Sequence, residues 1–317
     1  MLRVLLFCYR VTRVLRFALF FRKHRCAQKS GEHYHPEYPF HSASTSLFSS
    51  PIIPLRQFGE STLLSPLRTF SEQGNGCHRL HYNENMMDRI LEPEQMDDPN
   101  LEETLHAQAL EGLRRINRIS GSAGILWPSI RSLTHNSNER SLRILDIAAG
   151  AGDVPIALWR KAGRAGLTIE LTGSDRSLYA VEYARRSALE AAAPIRFFTR
   201  DVSADGIPGS YDVLICSLFL HHLHPEDAER LLRAMAESAA RMVLINDLVR
   251  SQTGLWAARL GTSLLTRSSI VRVDGPRSVR AAFTIDEVHR LAQRAGLTRA
   301  SVIPRWPFRF LLVWRKR

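Results

Sequence analysis

The stretch from Arg143 to Asp153 constrains the fold more than any other part of this chain. It reads RILDIAAGAGD, a short apolar run followed at once by small residues. The run is long enough for one buried strand, and the small residues allow a tight turn close to a ligand before a helix begins near Asp153. A strand, a glycine-containing turn and a helix N-terminus together present backbone N–H groups. This arrangement suits a nucleotide-like cofactor.

A carboxylate lies at the end of the second predicted strand, where a nucleotide-like cofactor is usually bound. A second apolar strand is predicted over 167–173 and leads to Ser174 and Asp175, which lies 23 positions after Gly152 (175 − 152). A carboxylate at the tip of the second strand usually holds ribose hydroxyls. The two motifs resemble motifs I and II of class I S-adenosylmethionine-dependent methyltransferases, whose first motif is commonly Leu-Asp-x-Gly-x-Gly-x-Gly. Ala148 replaces the first glycine, whereas Gly150 and Gly152 are in register.

The resemblance implies S-adenosylmethionine as cofactor and a set of residues that bind it at the ends of the first four strands. They are Asp146, Ala148, Gly150, Gly152, Asp175, Arg176, Asp201, Val202 and Ser217. Asp201 stands where the family hydrogen-bonds the adenine amino group, although an isolated Asp before a loop is also a common turn former. A helix predicted over 101–119 would lie over the cofactor mouth. Its Asn117 and Arg118 could line the pocket, or, as we favour, only solvate the helix end.

The remaining pattern alternates strands and helices. Further strands are predicted over 195–199, 211–217, 242–245, 300–304 and 308–314. A capping box at Thr284 and Glu287 begins a helix. An insertion over 251–280 has an apolar face suited to covering a pocket, formed by Trp256, Leu260, Leu264 and Leu265, and a turn at 274–276. We expect an α/β fold, Rossmann-like and doubly wound, with a mostly parallel seven-stranded sheet that ends in an antiparallel hairpin.

Two adjacent histidines, His221 and His222, follow the fourth predicted strand and are the candidate catalytic residues. His221 aligns with the histidine that is the base in plant phenolic O-methyltransferases. The Leu-His-His-Leu pattern is also similar to methyltransferases of ubiquinone and menaquinone biosynthesis, and packing alone is the alternative role. We expect apolar neighbours to lower the pKa of His221 and keep it a neutral base. His222, by alternation, would point into the core.

The first 85 residues differ from the rest in composition. They contain 11 Lys and Arg against 5 Asp and Glu, which is half of the net charge of +12. We predict a basic, disordered extension over 1–85 and a methyltransferase domain over 86–317. An acidic segment begins at Met86 and Met87, which favours translation starting there. A targeting segment or contact with a membrane surface is the alternative.

The sequence therefore predicts a cytoplasmic methyltransferase that acts on a hydrophobic small molecule, at a phenolic or polyketide/quinone-type hydroxyl. Four scattered cysteines without a CxxC pair exclude a cysteine-rich zinc site, and no metal ligands are predicted. Nucleic acid is not an expected partner, because the Asn/Asp-Pro-Pro-aromatic motif of base-amino methylation is missing after the fourth strand. Two alternatives remain: a methyltransferase of RNA hydroxyls and a non-catalytic cofactor-binding protein of the same fold. The sequence does not indicate the oligomeric state.

Overall fold

The computed structural model describes residues 87–98, 100–133 and 141–316. The strands are β1 Leu142–Ile147, β2 Ile169–Asp175, β3 Arg196–Thr199, β4 Tyr211–Ser217, β5 Ala239–Leu248, β6 Ser301–Arg305 and β7 Arg309–Arg315. The helices are α1 Glu103–Ser120, α2 Ser122–Arg131, α3 Asp153–Arg164, α4 Leu178–Glu190, α5 Val202–Asp205, α6 Pro225–Ser238, α7 Gln252–Leu265, α8 Ser269–Ala281 and α9 Ile285–Arg294. Short 3-10 turns lie at Gln95–Asp97 and Leu220–His222. The predicted extension over 1–85 falls outside the described residues and stays a prediction.

One seven-stranded sheet organises the described residues, in the order β3-β2-β1-β4-β5-β7-β6. The first five strands are parallel, and β7 pairs antiparallel with both β5 and β6. The predicted sheet and its C-terminal hairpin are thus confirmed. The strand order reverses between β1 and β4, and the carboxyl ends of strands at such a point are where open α/β sheets bind ligands.

Both faces of the sheet are buried, as the near-continuous apolar runs of parallel strands require. On one face, Ile144 and Ile215 pack with α2, α3 and α4. On the other, Leu145 and Leu214 pack with α6 and α9. The alternation of Ile144 and Leu145 between the two faces is the two-residue period of a strand. This packing holds the ends of β1 and β4 in a fixed relation.

One prediction for the insertion over 251–280 is wrong. Residues 274–276 lie inside α8 and do not form a turn. A Cβ atom at Gly275 would lie 2.6 Å from Thr262 Cγ2, so this glycine permits α7 and α8 to pack closely. On α7, Trp256, Leu260 and Leu264 are 65%, 54% and 59% exposed, and their predicted role in covering a pocket stays a prediction. Among the described residues, no helix is both long and apolar enough to cross a membrane.

Candidate active site

The glycine turn after β1 has the backbone conformation that its sequence predicts. Gly150 and Gly152 have φ angles of 51° and 72°, in the left-handed region that glycine tolerates best. A Cβ atom at Gly152 would lie 2.9 Å from Phe197 Cζ, whereas one at Gly150 would meet nothing within 4 Å. Gly152 is therefore required for packing, and Gly150 faces open space. Ala148, which replaces the first glycine of the motif, also has a positive φ of 55°.

Asp175 ends β2 and is joined to this turn. Its Oδ2 atom accepts a hydrogen bond from the Gly150 amide at 2.9 Å, and its Oδ1 atom accepts one from Ser177 at 3.0 Å. Burial raises the pKa of Asp175, and the two backbone donors partly oppose that rise. Asp146, at the end of β1, is buried and its Oδ1 atom has no hydrogen-bond partner among the described residues. Burial, together with Asp153 and Asp175, raises the pKa of Asp146 well above its ordinary value.

The other predicted cofactor residues lie at the same edge of the sheet but make contacts of their own. Asp201 caps the short helix α5, since its Oδ1 atom accepts the Ser203 amide at 2.9 Å. Val202 is buried in the core beneath the edge. Ser217 ends β4, and its Oγ atom accepts a hydrogen bond from Asn246 Nδ2 at 2.7 Å. Arg176 forms an ion pair with Asp97 at 3.2 Å.

The end of α1 is joined to the first turn of α3. The Asn117 side chain bonds Asp153, and its Oδ1 atom lies 3.5 Å from Nη2 of the buried Arg309. Burial raises the pKa of Asp153 to about 6. Arg118 is exposed at the helix end. Asn117 therefore contacts side chains at this edge of the sheet. The exposure of Arg118 agrees with the prediction that it solvates the end of the helix.

His221 and His222 lie in the 3-10 turn after β4, and their orientations are the reverse of the predicted ones. The His221 side chain is 4% exposed, while that of His222 is 19% exposed. The prediction assumed the two-residue alternation of a strand, but side chains in a 3-10 turn follow a period of three. His221 is therefore the buried histidine.

Asp247, near the end of β5, holds His221. Its Oδ1 atom lies 2.7 Å from His221 Nδ1, and its Oδ2 atom accepts the His221 backbone N–H at 3.1 Å. Burial lowers the pKa of His221, but the charge and hydrogen bonds of Asp247 and Glu94 outweigh it and raise the pKa to about 10. The expectation of a lowered pKa is thus wrong, because it took the apolar neighbours into account but not the two carboxylates.

Residues 87–98, which we call the N-terminal strap, supply groups that sequence reasoning missed. Glu94 lies 3.6 Å from Nε2 of each histidine, through a different carboxylate oxygen in each case. Asp97 Oδ2 lies 3.2 Å from His222 Nδ1 and 3.2 Å from Arg176, so it connects the β2 edge with the histidine turn. The acidic composition of this segment was the only sequence feature that could have pointed to it.

Backbone and side-chain hydrogen bonds fix the strap in place. Arg89 donates to the carbonyl oxygens of Ala281 at 2.6 Å, His221 at 3.1 Å and Leu223 at 2.8 Å. The Asp274 carboxylate accepts the amides of Gln95 and Met96 at 3.0 and 3.1 Å. The strap thus lies over both the histidine turn and the α8 helix.

A separate groove of about 610 Å³ lies away from this edge. Arg143 and Glu170, from the first residues of β1 and β2, line it together with Arg185 and Arg200. Arg185 donates to the Phe197 carbonyl and Arg200 to the Gly206 carbonyl at 2.7 Å each. These two guanidinium groups are engaged by the chain itself, and we assign the groove no part in the candidate site.

Comparison with known proteins agrees with the fold and with the glycine motif. Residues 144–241 match the model of a family described as a methyltransferase domain. No curated protein matches the chain. The solved structure of the plantazolicin methyltransferase BpumL in complex with SAH is 18% identical, with a TM-score of 0.52 over 70% of this chain and 92% of that one. An O-methyltransferase family 2 protein from Planctomyces limnophilus, in complex with apigenin, is 16% identical, with a TM-score of 0.50 over 69% and 63%. At these identities the likeness is one of fold.

The residues at the ends of β1 and β2 fit the cofactor of that domain, S-adenosylmethionine. Gly150 leaves space for a ligand beside the turn, and the Asp175 carboxylate lies next to it. The buried Asp146 oxygen without a partner is a further acceptor at the same edge. Hydroxyl and amino groups of a nucleoside cofactor are the donors that such oxygens require.

Proposed function

We propose that this S-adenosylmethionine-dependent methyltransferase methylates a hydroxyl group of a hydrophobic small molecule, of the phenolic or polyketide/quinone type. The observation that carries the proposal is the pair formed by His221 and Asp247 at the carboxyl ends of β4 and β5. This pair lies one strand away from the glycine turn that binds the cofactor. A histidine held by a carboxylate is the arrangement that accepts a proton from a hydroxyl nucleophile.

Asp247 fixes the imidazole of His221. Because Nδ1–H donates to Asp247, the tautomer that can act as a base has its lone pair on Nε2, which faces Glu94. We propose that the acceptor hydroxyl takes the place of the Glu94 carboxylate beside Nε2. The hydroxyl proton then passes to Nε2, and Asp247 stabilises the imidazolium that forms.

The cofactor supplies an electrophilic methyl group on a sulfonium. The acceptor oxygen would take this methyl group as the sulfonium becomes a thioether, and the proton of the hydroxyl would remain on His221. The chain mainly aligns the two reactants and excludes water, since an in-line displacement depends on position.

The surroundings of the histidine turn favour an apolar acceptor. Leu218 and Phe219 are partly buried beside it, and the ring of Phe219 stacks on that of His222 with centroids 5.7 Å apart. The plantazolicin methyltransferase and the protein crystallised with apigenin, which share the fold, are named with small organic molecules. Both observations support a small-molecule acceptor over nucleic acid.

The test compares His221→Ala with His222→Ala. We expect both variants to bind S-adenosylmethionine normally in calorimetric titration, because neither side chain lies in the glycine turn. Methyl transfer to a set of alkyl-substituted phenols should fall ~10²–10⁴-fold in His221→Ala, which is the usual contribution of a general base. His222→Ala should lose less, since the carboxylate at its Nδ1, Asp97, is 36% exposed, whereas Asp247 at Nδ1 of His221 is 2% exposed.

Two results would contradict the proposal. One is near-normal turnover by a folded His221→Ala enzyme, which would leave positioning as the only mechanism. The other is methyl incorporation into RNA with none into any phenol, which would favour an RNA hydroxyl as the acceptor.

A further inference from the structure

We propose that Glu94, His221 and His222 form a binding site for one divalent transition-metal ion, of which Zn²⁺ is the representative. The three residues come from the N-terminal strap and from the histidine turn. Their ligand atoms, one from each residue, all lie within 4.8 Å of one another. Binding of the ion does not depend on the proposed function, whereas its effect on catalysis does.

The distances fit a single ion between the three side chains. His221 Nε2 lies 3.6 Å from Glu94 Oε1, and His222 Nε2 lies 3.6 Å from Glu94 Oε2. Zinc binds imidazole nitrogen and carboxylate oxygen at about 2.0–2.2 Å, so two ligand atoms in a tetrahedral site are about 3.3–3.6 Å apart. With one oxygen of Glu94 as ligand, the three ligand atoms lie within 4.8 Å of one another, so the side chains would adjust to bring all three to bonding distance.

Each imidazole also has the outer partner that a metal-binding histidine requires. Nδ1 of His221 lies 2.7 Å from Asp247, and Nδ1 of His222 lies 3.2 Å from Asp97. A carboxylate at Nδ1 keeps the proton on that nitrogen and directs the lone pair of Nε2 towards a metal. Two such carboxylate–histidine pairs that converge on one Glu form the donor set of a metal centre.

The balance of charge favours a cation. When an ion binds, both imidazoles are neutral at Nε2, and Glu94, Asp97 and Asp247 carry negative charge around the turn. Arg176 pairs with Asp97, and the charges of Arg89 and Arg309 act on Asp247. Ser278 donates a hydrogen bond to Glu94 but adds no charge. Among the described residues, Glu94 has no arginine or lysine partner, so a bound cation would compensate its charge in a site that is largely shielded from water.

The donor set selects the kind of ion. Two imidazole nitrogens and one carboxylate oxygen suit Zn²⁺ and similar transition metals, whereas Mg²⁺ prefers oxygen ligands. Three protein ligands also leave a fourth position open.

The ion would connect the strap to the histidine turn and occupy Nε2 of His221. Under the proposed function this nitrogen must accept the hydroxyl proton, and it cannot do so while it binds a metal. Zn²⁺ should therefore inhibit methyl transfer and stabilise the strap in its place over the turn.

The experiment measures Zn²⁺ and Co²⁺ binding to the full chain, using the metal ions alone as probes. Six of the twelve histidines lie before residue 86 and can bind zinc themselves, so differences between variants are the informative quantity. We expect His222→Ala and Glu94→Gln each to bind one equivalent fewer than the unmodified chain and to lose the tetrahedral Co²⁺ absorption. His289→Ala, on α9, is the matched histidine control and should retain both.

Asp97→Asn keeps all three ligands and tests the outer partner. It should bind the same number of equivalents with ~10–100-fold weaker affinity, the usual effect of losing such a carboxylate. Equal stoichiometry and equal Co²⁺ spectra in the unmodified chain, His222→Ala and Glu94→Gln, all folded by thermal melting, would overturn the metal site. That result would leave the phenol assay unaffected, and a chain that binds zinc but methylates no phenol would overturn the proposed function alone.

Discussion

Ala148 has the backbone conformation of a glycine at a position where the family motif usually has one. Its φ of 55° lies in the left-handed region, where a Cβ atom costs roughly 1–2 kcal/mol. The conformation is imposed by the turn, because the next residue, Ala149, donates its amide to the Ser174 carbonyl at 2.9 Å. The turn therefore keeps the shape of the glycine motif at some cost in stability.

Ala148→Gly should raise the free energy of unfolding. Relief of the left-handed strain is larger than the ~0.4–1 kcal/mol by which the greater conformational freedom of glycine favours the unfolded chain. We therefore expect a net gain of about 0.5–1 kcal/mol in the free energy of unfolding. Denaturant unfolding measures it. Ala151→Gly is the control, because Ala151 is not among the residues with positive φ and should lose about 1 kcal/mol instead. If Ala148→Gly lost as much stability as the control, Ala148 would not be strained in the native turn.

Glu94 is, after Asp247, the second carboxylate that raises the pKa of His221. The direction of this shift predicts how turnover depends on pH. The base is active when its imidazole is neutral, so turnover should rise with pH, and a raised pKa places that rise above neutrality. Glu94→Gln removes one of the two carboxylates that raise the pKa. We expect the rise in kcat/KM, which reports the chain before the acceptor displaces Glu94, to move to lower pH.

The matched control for Glu94→Gln is Glu237→Gln, because Glu237 is an exposed carboxylate on α6 and lies outside the histidine turn. Its pH profile should coincide with that of the unmodified chain. A Glu94→Gln profile of kcat/KM that also coincides would show that Glu94 does not raise the pKa of His221.

At the scale of elements, Arg89 is one of the residues that hold the N-terminal strap against the rest of the described fold. Arg89 donates to three backbone carbonyls, and its guanidinium lies 3.9 Å from the centroid of the Phe283 ring. Two of these carbonyls belong to His221 and Leu223, in and beside the histidine turn. The position of the turn and that of the strap are thus coupled.

Arg89→Ala should lower the free energy of unfolding by about 1–3 kcal/mol, because partly buried carbonyl groups lose a charged donor. Hydrogen exchange of the amides in residues 219–224 should accelerate. Arg230→Ala is the control, since Arg230 forms only an exposed i,i+3 pair with Asp227, and such pairs contribute ~0–1 kcal/mol. Unchanged exchange in the turn of Arg89→Ala would show that the two elements are independent.

Elements were predicted well wherever their boundaries depend on neighbouring residues. The capping box of Thr284 and Glu287 is confirmed, since it joins residues three positions apart. The turn predicted at residues 274–276 is wrong because Gly275 serves a contact with Thr262 on another helix. The strand β5 is longer than predicted, since pairing with β4 and β7 extends it at both ends.

On the scale of the whole molecule, the contacts of the strap extend the described fold to Met87. Met87 already contributes, because its carbonyl oxygen accepts a hydrogen bond from Arg250 Nε at 2.7 Å. Arg250 in turn forms a bidentate ion pair with Glu287 on α9. A boundary at Met86 or Met87, predicted from composition, therefore keeps these contacts, whereas one at Leu101 removes the strap.

A chain that starts at Met87 should bind S-adenosylmethionine and melt like the full chain. A chain that starts at Leu101 should lose about 3 kcal/mol or more, from several hydrogen bonds worth ~0.5–1.5 kcal/mol each. Thermal melting and calorimetric titration of the two chains provide the comparison. A large loss of melting temperature in the chain that starts at Met87 would show that residues 1–86 belong to the folded unit.

The sequence by itself determined the order of strands and helices, the glycine turn and the placement of Asp175. These depend on period, on turn chemistry and on residues close together in the chain. Only the tertiary structure decided which histidine is buried, which way its pKa is shifted, and that a strap covers it. The partners responsible are distant in sequence: Asp247 lies 26 positions from His221, and Asp97 lies 125 positions from His222. A single sequence has no pattern that joins such residues, since their contact arises only when the sheet and the strap pack together.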